Sequence, residues 1–109
     1  MTNEELNRAL YEKMQAEMQE YTDWLKGLPT EDILNHTYEY TVRQDILFAF
    51  ENFDFSDAEC KALLKSPCPL RDVFDRYNTF ETGYMEDIRL AMTEEARENL
   101  HRDRERDSR

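Results

Sequence analysis

The sequence predicts an all-α protein, a compact bundle of about five helices, and three observations support this fold class. Apolar residues recur at intervals of three and four along most of the chain, which is the helical period. Only two glycines occur in 109 residues, too few for a protein built on hairpin turns. Residues that cap helices precede several of the apolar stretches. The predicted order is two long N-terminal helices, two short helices and one long C-terminal helix.

The first predicted helix begins at a capping motif. Thr2 is followed three residues later by Glu5, so the hydroxyl is expected to accept from a free amide and the carboxylate from the cap's own amide. Gly27 is suited to the left-handed position that ends a helix, and Pro29 follows it. The apolar positions between these signals repeat every three or four residues: Leu6, Leu10, Met14, Met18, Tyr21 and Leu25.

The second predicted helix runs from a Thr30 cap to about Asn52. We expect it to be the core helix because its apolar residues cover more than one stripe. Residues 38–42 are β-branched and aromatic, which is typical of a strand, but one isolated strand would have no partner. The apolar residues of this helix are Ile33, Leu34, Tyr38, Tyr40, Val42, Ile46, Leu47, Phe48, Phe50 and Phe53.

Three further helices complete the predicted bundle. Ser56 and Glu59 form a second capping box, which opens a short helix that ends near Lys65. Two prolines then break the chain before another short helix over 70–77. A loop over 78–82 leads to the last helix, whose stripe includes Ile88 and Met92. Residues 1–100 are therefore predicted to form a single helical domain, and 101–109 a charged tail or an extension of the last helix.

The charge of the chain is concentrated at its N-terminal end. The net charge is −11, and residues 1–59 hold 14 acidic side chains against four basic ones. Such a surface repels nucleic acid and anionic membranes and attracts basic proteins. No apolar run reaches the roughly 18 residues of a membrane span, so we expect a cytosolic protein without membrane contact. In that reducing compartment, Cys60 is expected to be a core residue and Cys68 a loop thiol.

No constellation of side chains predicts an enzyme, a metal site or a cofactor. The two histidines, His36 and His101, lie in different predicted helices and outside any zinc-binding motif. Aromatic side chains are interpreted as core residues because so small a domain needs them to fold. This interpretation covers Phe48, Phe50, Phe53, Phe55, Phe74, Tyr77 and Phe80.

The acidic residues of the first two predicted helices are the leading candidate for a binding site. Carboxylates one or two helical turns apart, at about 5.4 Å per turn, approach the spacing of phosphates along a nucleic-acid strand. Such a face could imitate a nucleic acid and bind a basic protein groove, although most acidic helix faces serve only solubility. The candidate phosphate surrogates are Glu12, Glu17, Glu20, Asp23, Glu31, Asp32 and Glu39.

The order of several short motifs resembles a family of short uncharacterised proteins encoded in conjugative transposons and related mobile elements of gut Firmicutes. These motifs are LYEKM, LPTEDIL, RQDIL, FSDAECKALL, SPCPL and YMEDIR, and the resemblance covers about Leu10 to Ala96. It implies no activity and no functional residue. It does imply a context in which an acidic protein of this kind could be an anti-CRISPR-like inhibitor that occupies the nucleic-acid channel of a nuclease.

The competing hypothesis is a structural or regulatory adaptor of a mobile element, which binds a partner helix through an apolar or aromatic groove. In that case Phe55, Tyr84 and Met85 would carry binding and the acidic residues would only solubilise the chain. Self-association through the first helix is a third hypothesis, but pairing of its stripe within the domain is favoured.

Overall fold

The computed structural model describes residues 1–80 and 83–107, apart from the side chains of residues 103, 106 and 107. The predicted all-α class is confirmed, with six helices and no strand in this part of the chain. The chain divides into two compact units, Met1–Thr79 and Phe80–Arg109. The single-domain boundary at residue 100 stays a prediction. The helices are α1 (Asn3–Lys26), α2 (Thr30–Asn35), α3 (Thr37–Asn52), α4 (Asp57–Leu64), α5 (Pro69–Tyr77) and α6 (Tyr84–Asp107).

Helix α1 is the centre of the N-terminal unit, because it packs against α3, α4 and α5. The Thr2 hydroxyl caps it by accepting a 3.1 Å hydrogen bond from the Glu5 amide, as predicted. The reciprocal half of the predicted capping box was wrong, because the Glu5 carboxylate accepts from the Thr2 hydroxyl at 3.2 Å and not from the Thr2 amide. The expectation that the second predicted helix forms the core was wrong, since α3 buries only Arg43. Each large apolar side chain that α1 buries contributes roughly 1.5–3 kcal/mol to folding. The buried residues of α1 are Leu6, Leu10, Met14, Met18, Tyr21 and Leu25.

The second predicted helix is in fact two helices, α2 and α3, separated at His36. The His36 backbone departs from helical geometry, and its ring packs edge-on to Trp24 with centroids 5.2 Å apart. The Thr37 hydroxyl donates to the Leu34 carbonyl at 2.9 Å, which satisfies a carbonyl that the break would otherwise leave free. Thr30 is the first residue of α2 and not its cap; that position belongs to Pro29, whose side chain has no hydrogen bond to offer. Residues 38–42 are helical, as predicted.

Of the two glycines, Gly83 and not Gly27 adopts a left-handed backbone conformation. Gly27 caps α1 in a right-handed conformation with φ −83°, so the prediction of a left-handed residue there was wrong. Its amide instead donates to the Trp24 carbonyl at 3.1 Å, and the Leu28 amide donates to Leu25. Gly83, which directly precedes α6, has φ +71° and is the glycine whose backbone needs this freedom.

The aromatic residues are less buried than expected. Phe74 is buried, and Phe50 and Phe55 are half-buried with ring centroids 5.2 Å apart. The other four predicted core aromatics are exposed. For Phe48 the reason is that α3 carries apolar residues on several faces, not all of which pack against α1 and α5. These four are Phe48, Phe53, Tyr77 and Phe80.

Helices α4 and α5 follow their sequence signals. Ser56 and Glu59 form the predicted capping box in both directions, with hydrogen bonds of 3.1 and 2.9 Å. Pro69 opens α5 at a position where no backbone donor is needed. The buried position of Cys60 is confirmed, Cys68 lies half-buried before α5, and both thiols are free.

The C-terminal unit contains α6, which continues to Asp107 through the charged segment beyond Leu100. Ion pairs one turn apart, such as Arg102 with Glu98 at 4.0 Å, lie along this segment. The predicted loop over 78–82 and the predicted tail over 101–109 include residues 81–82 and 108–109, which lie outside the described residues.

Candidate protein-binding surface

Glu17 is the predicted surrogate whose environment differs most from the expectation. Its carboxylate is half-buried and accepts hydrogen bonds from the backbone amides of Leu70 at 2.8 Å and Arg71 at 2.9 Å. These two amides belong to the first turn of α5, where no residue of the same helix can satisfy them. Glu17 therefore caps α5 from α1 and links the two helices.

Glu39 lies in the same interior cluster, which is organised by Arg43. Arg43 is 6% exposed, and its Nε lies 3.5 Å from Glu39 and its Nη1 3.9 Å from Glu17. It also lies over the Tyr21 ring, with the guanidinium carbon 4.1 Å from the ring centroid. Burial raises the pKa of the Tyr21 hydroxyl, and the Glu39 carboxylate raises it further. Two carboxylates thus neutralise one buried cation.

The other five predicted surrogates are exposed. We call the three on α1 the acidic stripe, which consists of Glu12, Glu20 and Asp23. Helical geometry places them within about 80° of arc on the side of α1 away from its buried residues. Asp23 accepts a 3.0 Å hydrogen bond from the Gln19 amide. Glu31 and Asp32 occupy the first turn of α2, where negative charge complements the helix dipole.

The residues of the adaptor hypothesis also include both structural and exposed side chains. Phe55 is half-buried against Phe50, and its backbone amide and carbonyl both bond to the Asn7 side chain at 2.9 Å. Phe55 is therefore part of the connection between α1 and the start of α4. Tyr84 and Met85, at the start of α6, are 68% and 70% exposed.

Sequence reasoning missed two basic residues that connect helices, the half-buried Lys13 and the buried Arg43. Lys13 donates to the carbonyls of Leu64 at 2.9 Å and Ser66 at 2.6 Å, which closes the end of α4 against α1. Arg43 could have been suspected, because it follows Glu39 by one helical turn and is the only basic residue of α3. The partners of Lys13 could not be identified from local spacing.

The described residues hold no cluster of three or more metal-binding side chains. Within the same part of the chain, no helix combines the length and the apolar character needed to cross a membrane.

One family comparison covers most of the chain. Residues 6–100 match the family described as "Protein of unknown function (DUF3848)". The chain belongs to this family. The expectation of an uncharacterised family is confirmed, and the match extends over both units of this DUF3848 member. No curated protein and no solved structure matches the chain.

Proposed function

We propose that this DUF3848 member is a non-enzymatic protein-binding module whose N-terminal unit binds a basic protein surface through the acidic stripe. The observation that carries the proposal is the exposure of Glu12, Glu20 and Asp23 on one face of α1. Residues 1–79 hold 16 acidic side chains against eight basic ones, so a negative field surrounds the stripe. A field of this sign accelerates encounter with positive surfaces and favours their binding.

The most specific form of the proposal is a nucleic-acid mimic that blocks the basic groove of a defence nuclease, such as a CRISPR effector. Glu12 and Glu20 are separated by about 12 Å along α1, and Glu20 and Asp23 by about 4.5 Å. One DNA strand presents a phosphate every 3.4 Å or so along the axis. The stripe would therefore occupy a few phosphate positions, and long-range charge would supply the rest of the affinity.

We also propose a cellular context, in which the gene is carried on a mobile element of gut Firmicutes. Such an element needs protection from the defence nucleases of the host cell that it enters. An inhibitor of a nuclease would act in the cytoplasm, where the nuclease is.

The test is competition for DNA. A guide-loaded CRISPR effector is bound to fluorescent target DNA, and release of the DNA is followed by anisotropy as the protein is added. We expect displacement that weakens steeply as salt is raised, because exposed charges are screened. The variant with Glu12, Glu20 and Asp23 all changed to lysine should need at least about ten-fold more protein.

A matched control separates local contacts from net charge. Changing Glu86, Glu94 and Glu98 of α6 to lysine alters the net charge by the same amount on exposed side chains of the other unit. We expect this variant to displace DNA nearly as well as the wild type. Equal loss in both triple variants, or displacement that salt does not affect, would contradict the proposal.

The adaptor is a second candidate, favoured by the exposure of Tyr84 and Met85. The double change of Tyr84 and Met85 to alanine should weaken capture of such a partner by more than about ten-fold without loss of helicity. Phe55→Ala is unsuited to this test because it would leave a cavity beside Phe50.

A further inference from the structure

A continuous groove runs between α1 and α3 in the N-terminal unit. Three cavities of about 280, 320 and 250 Å³ lie along it. Tyr11 and Glu51 line both the first and the second cavity, and Thr22 and Tyr40 line both the second and the third. We call this surface the interhelical groove.

The dimensions of the interhelical groove match one helix. On α1 the lining residues extend from Asn7 to Lys26, which corresponds to about 28 Å. A helix of about 18 residues has that length. The two outer cavities expose mainly apolar surface, and the middle cavity exposes polar and apolar surface in similar amounts. The apolar and aromatic lining residues are Tyr11, Met18, Leu25, Ile33, Tyr40, Leu47, Phe48 and Phe50.

The lining of the groove also has the periodicity that a helix requires. Lining residues of α1 and α3 recur at intervals of three and four, so they form the ridges between which side chains of a third helix pack. The middle cavity has one charged lining residue, Glu51, which it shares with the first cavity. The other polar residues of this cavity are uncharged, so an apolar helix face would desolvate no further ion there. These uncharged residues are Gln15, Gln19, Thr22 and Gln44.

Charge distinguishes the two ends of the groove. Glu51 and Asp54 line one end, and within the described residues neither forms an ion pair. Arg8 lines the same end but pairs with Glu4 at 3.5 Å. The carbonyl end of α3 adds negative potential beside Asn52. Lys26 lies at the opposite end.

We propose that the interhelical groove binds an amphipathic helix of a partner protein, with Lys or Arg at the end that lies beside Glu51 and Asp54. The apolar face of this helix, with residues at i, i+3, i+4 and i+7, packs on the groove. This interaction is separate from the acidic stripe, and its test needs no nuclease or nucleic acid. Either proposal can therefore fail without the other.

The probe is a synthetic helical peptide of about 18 residues with a leucine face, glutamine and alanine elsewhere, and three lysines in one terminal turn. Binding to the ¹⁵N-labelled full chain is followed by NMR. We expect shift changes concentrated at groove residues such as Gln15, Thr22 and Gln44. A peptide that keeps the lysines but has glutamine in place of leucine should bind at least about ten-fold more weakly.

Two pairs of variants locate the site. Phe48→Ala removes an exposed groove residue and should weaken binding about ten-fold. Phe53 is also exposed but does not line the groove, so Phe53→Ala should have little effect. E51Q with D54N should weaken binding of the lysine peptide by a similar factor. The control with E20Q and E31Q removes the same charge elsewhere and should change the affinity less than about three-fold.

Three results would overturn the proposal. One is the absence of binding by the lysine peptide to the wild-type chain. Another is equal binding by the peptides with and without the leucine face. The third is equal weakening by the groove variants and their controls, since binding would then reflect only the total charge of the chain.

Discussion

Glu17 and Glu20 lie less than one turn apart on α1 and have opposite environments. Glu17 binds two backbone amides of α5 and faces Arg43, whereas Glu20 is exposed to solvent. One acidic helix can therefore carry two kinds of carboxylate, those that bond within the protein and those that are exposed to solvent. Only the second kind is free to bind a partner, and counting charge along the sequence does not separate them.

Arg43→Met is the variant for which we expect the largest loss of stability. It leaves Glu17 and Glu39 without their shared cation in a half-buried site, and we expect a loss of about 3 kcal/mol of unfolding free energy. Urea denaturation followed by circular dichroism measures this. Arg8→Met, which removes only an exposed pair with Glu4, should stay within about 0.5 kcal/mol of wild type. Similar losses in both variants would mean that the buried cluster has no special role.

Glu17→Ala is the next largest change. It frees two amides at the start of α5 and leaves Arg43 with a single carboxylate, so we expect a loss of about 2 kcal/mol. Glu20→Ala is the matched control on the same helix and should change stability by less than about 0.5 kcal/mol. The comparison fails if the two alanine variants unfold at the same urea concentration.

Glu59 is a third case, because its side chain is exposed and still stabilises the start of α4. The hydrogen bond from the Ser56 amide lowers the pKa of the Glu59 carboxyl, so its contribution to folding is present at neutral pH and is lost as pH falls through the folded pKa. We expect wild type to melt at a slightly higher temperature than Glu59→Gln at neutral pH, and the difference to vanish in acid. Glu20→Gln should show no such dependence. A Glu59 difference that persists in acid would remove the ionised cap as its cause.

The acidic stripe is expected to contribute little to folding. Among the described residues, Glu12, Glu20 and Asp23 form no ion pair that a change of all three to lysine would remove. Relief of like-charge repulsion offsets the lost hydrogen bond from Gln19. The unfolding free energy should stay within about 1 kcal/mol of wild type. A larger loss would show that the stripe is structural and would exclude it as a binding surface.

The sequence predicts some of this arrangement and not the rest, for physical reasons. The α1 stripe and the Ser56 cap depend on residues close in the chain, and both are confirmed. Glu17 follows Met14 by three residues and precedes Tyr21 by four, so its spacing already places it near the buried face. Its partners on α5 come from distant sequence, and local periodicity cannot identify them.

The break at His36 and the exposed face of α3 have a similar origin. An uninterrupted helical pattern from residue 30 to 52 contains no proline or glycine to mark the break. At the interruption, His36 contacts Trp24 from α1 and Thr37 bonds to the Leu34 carbonyl. The groove likewise results from how α1 and α3 pack, which apolar spacing alone does not fix.

The central claim is that the exposed carboxylates of α1 bind a basic protein. Its most direct test is affinity capture from lysate of a gut Firmicute that carries a CRISPR system, with wild type and the stripe variant on parallel columns, elution in salt steps and mass-spectrometric identification. We predict that wild type retains a basic nuclease that elutes at moderate salt and that the variant with lysine at Glu12, Glu20 and Asp23 does not retain it. Retention of the same protein by both columns, or elution that does not depend on salt, would contradict the claim.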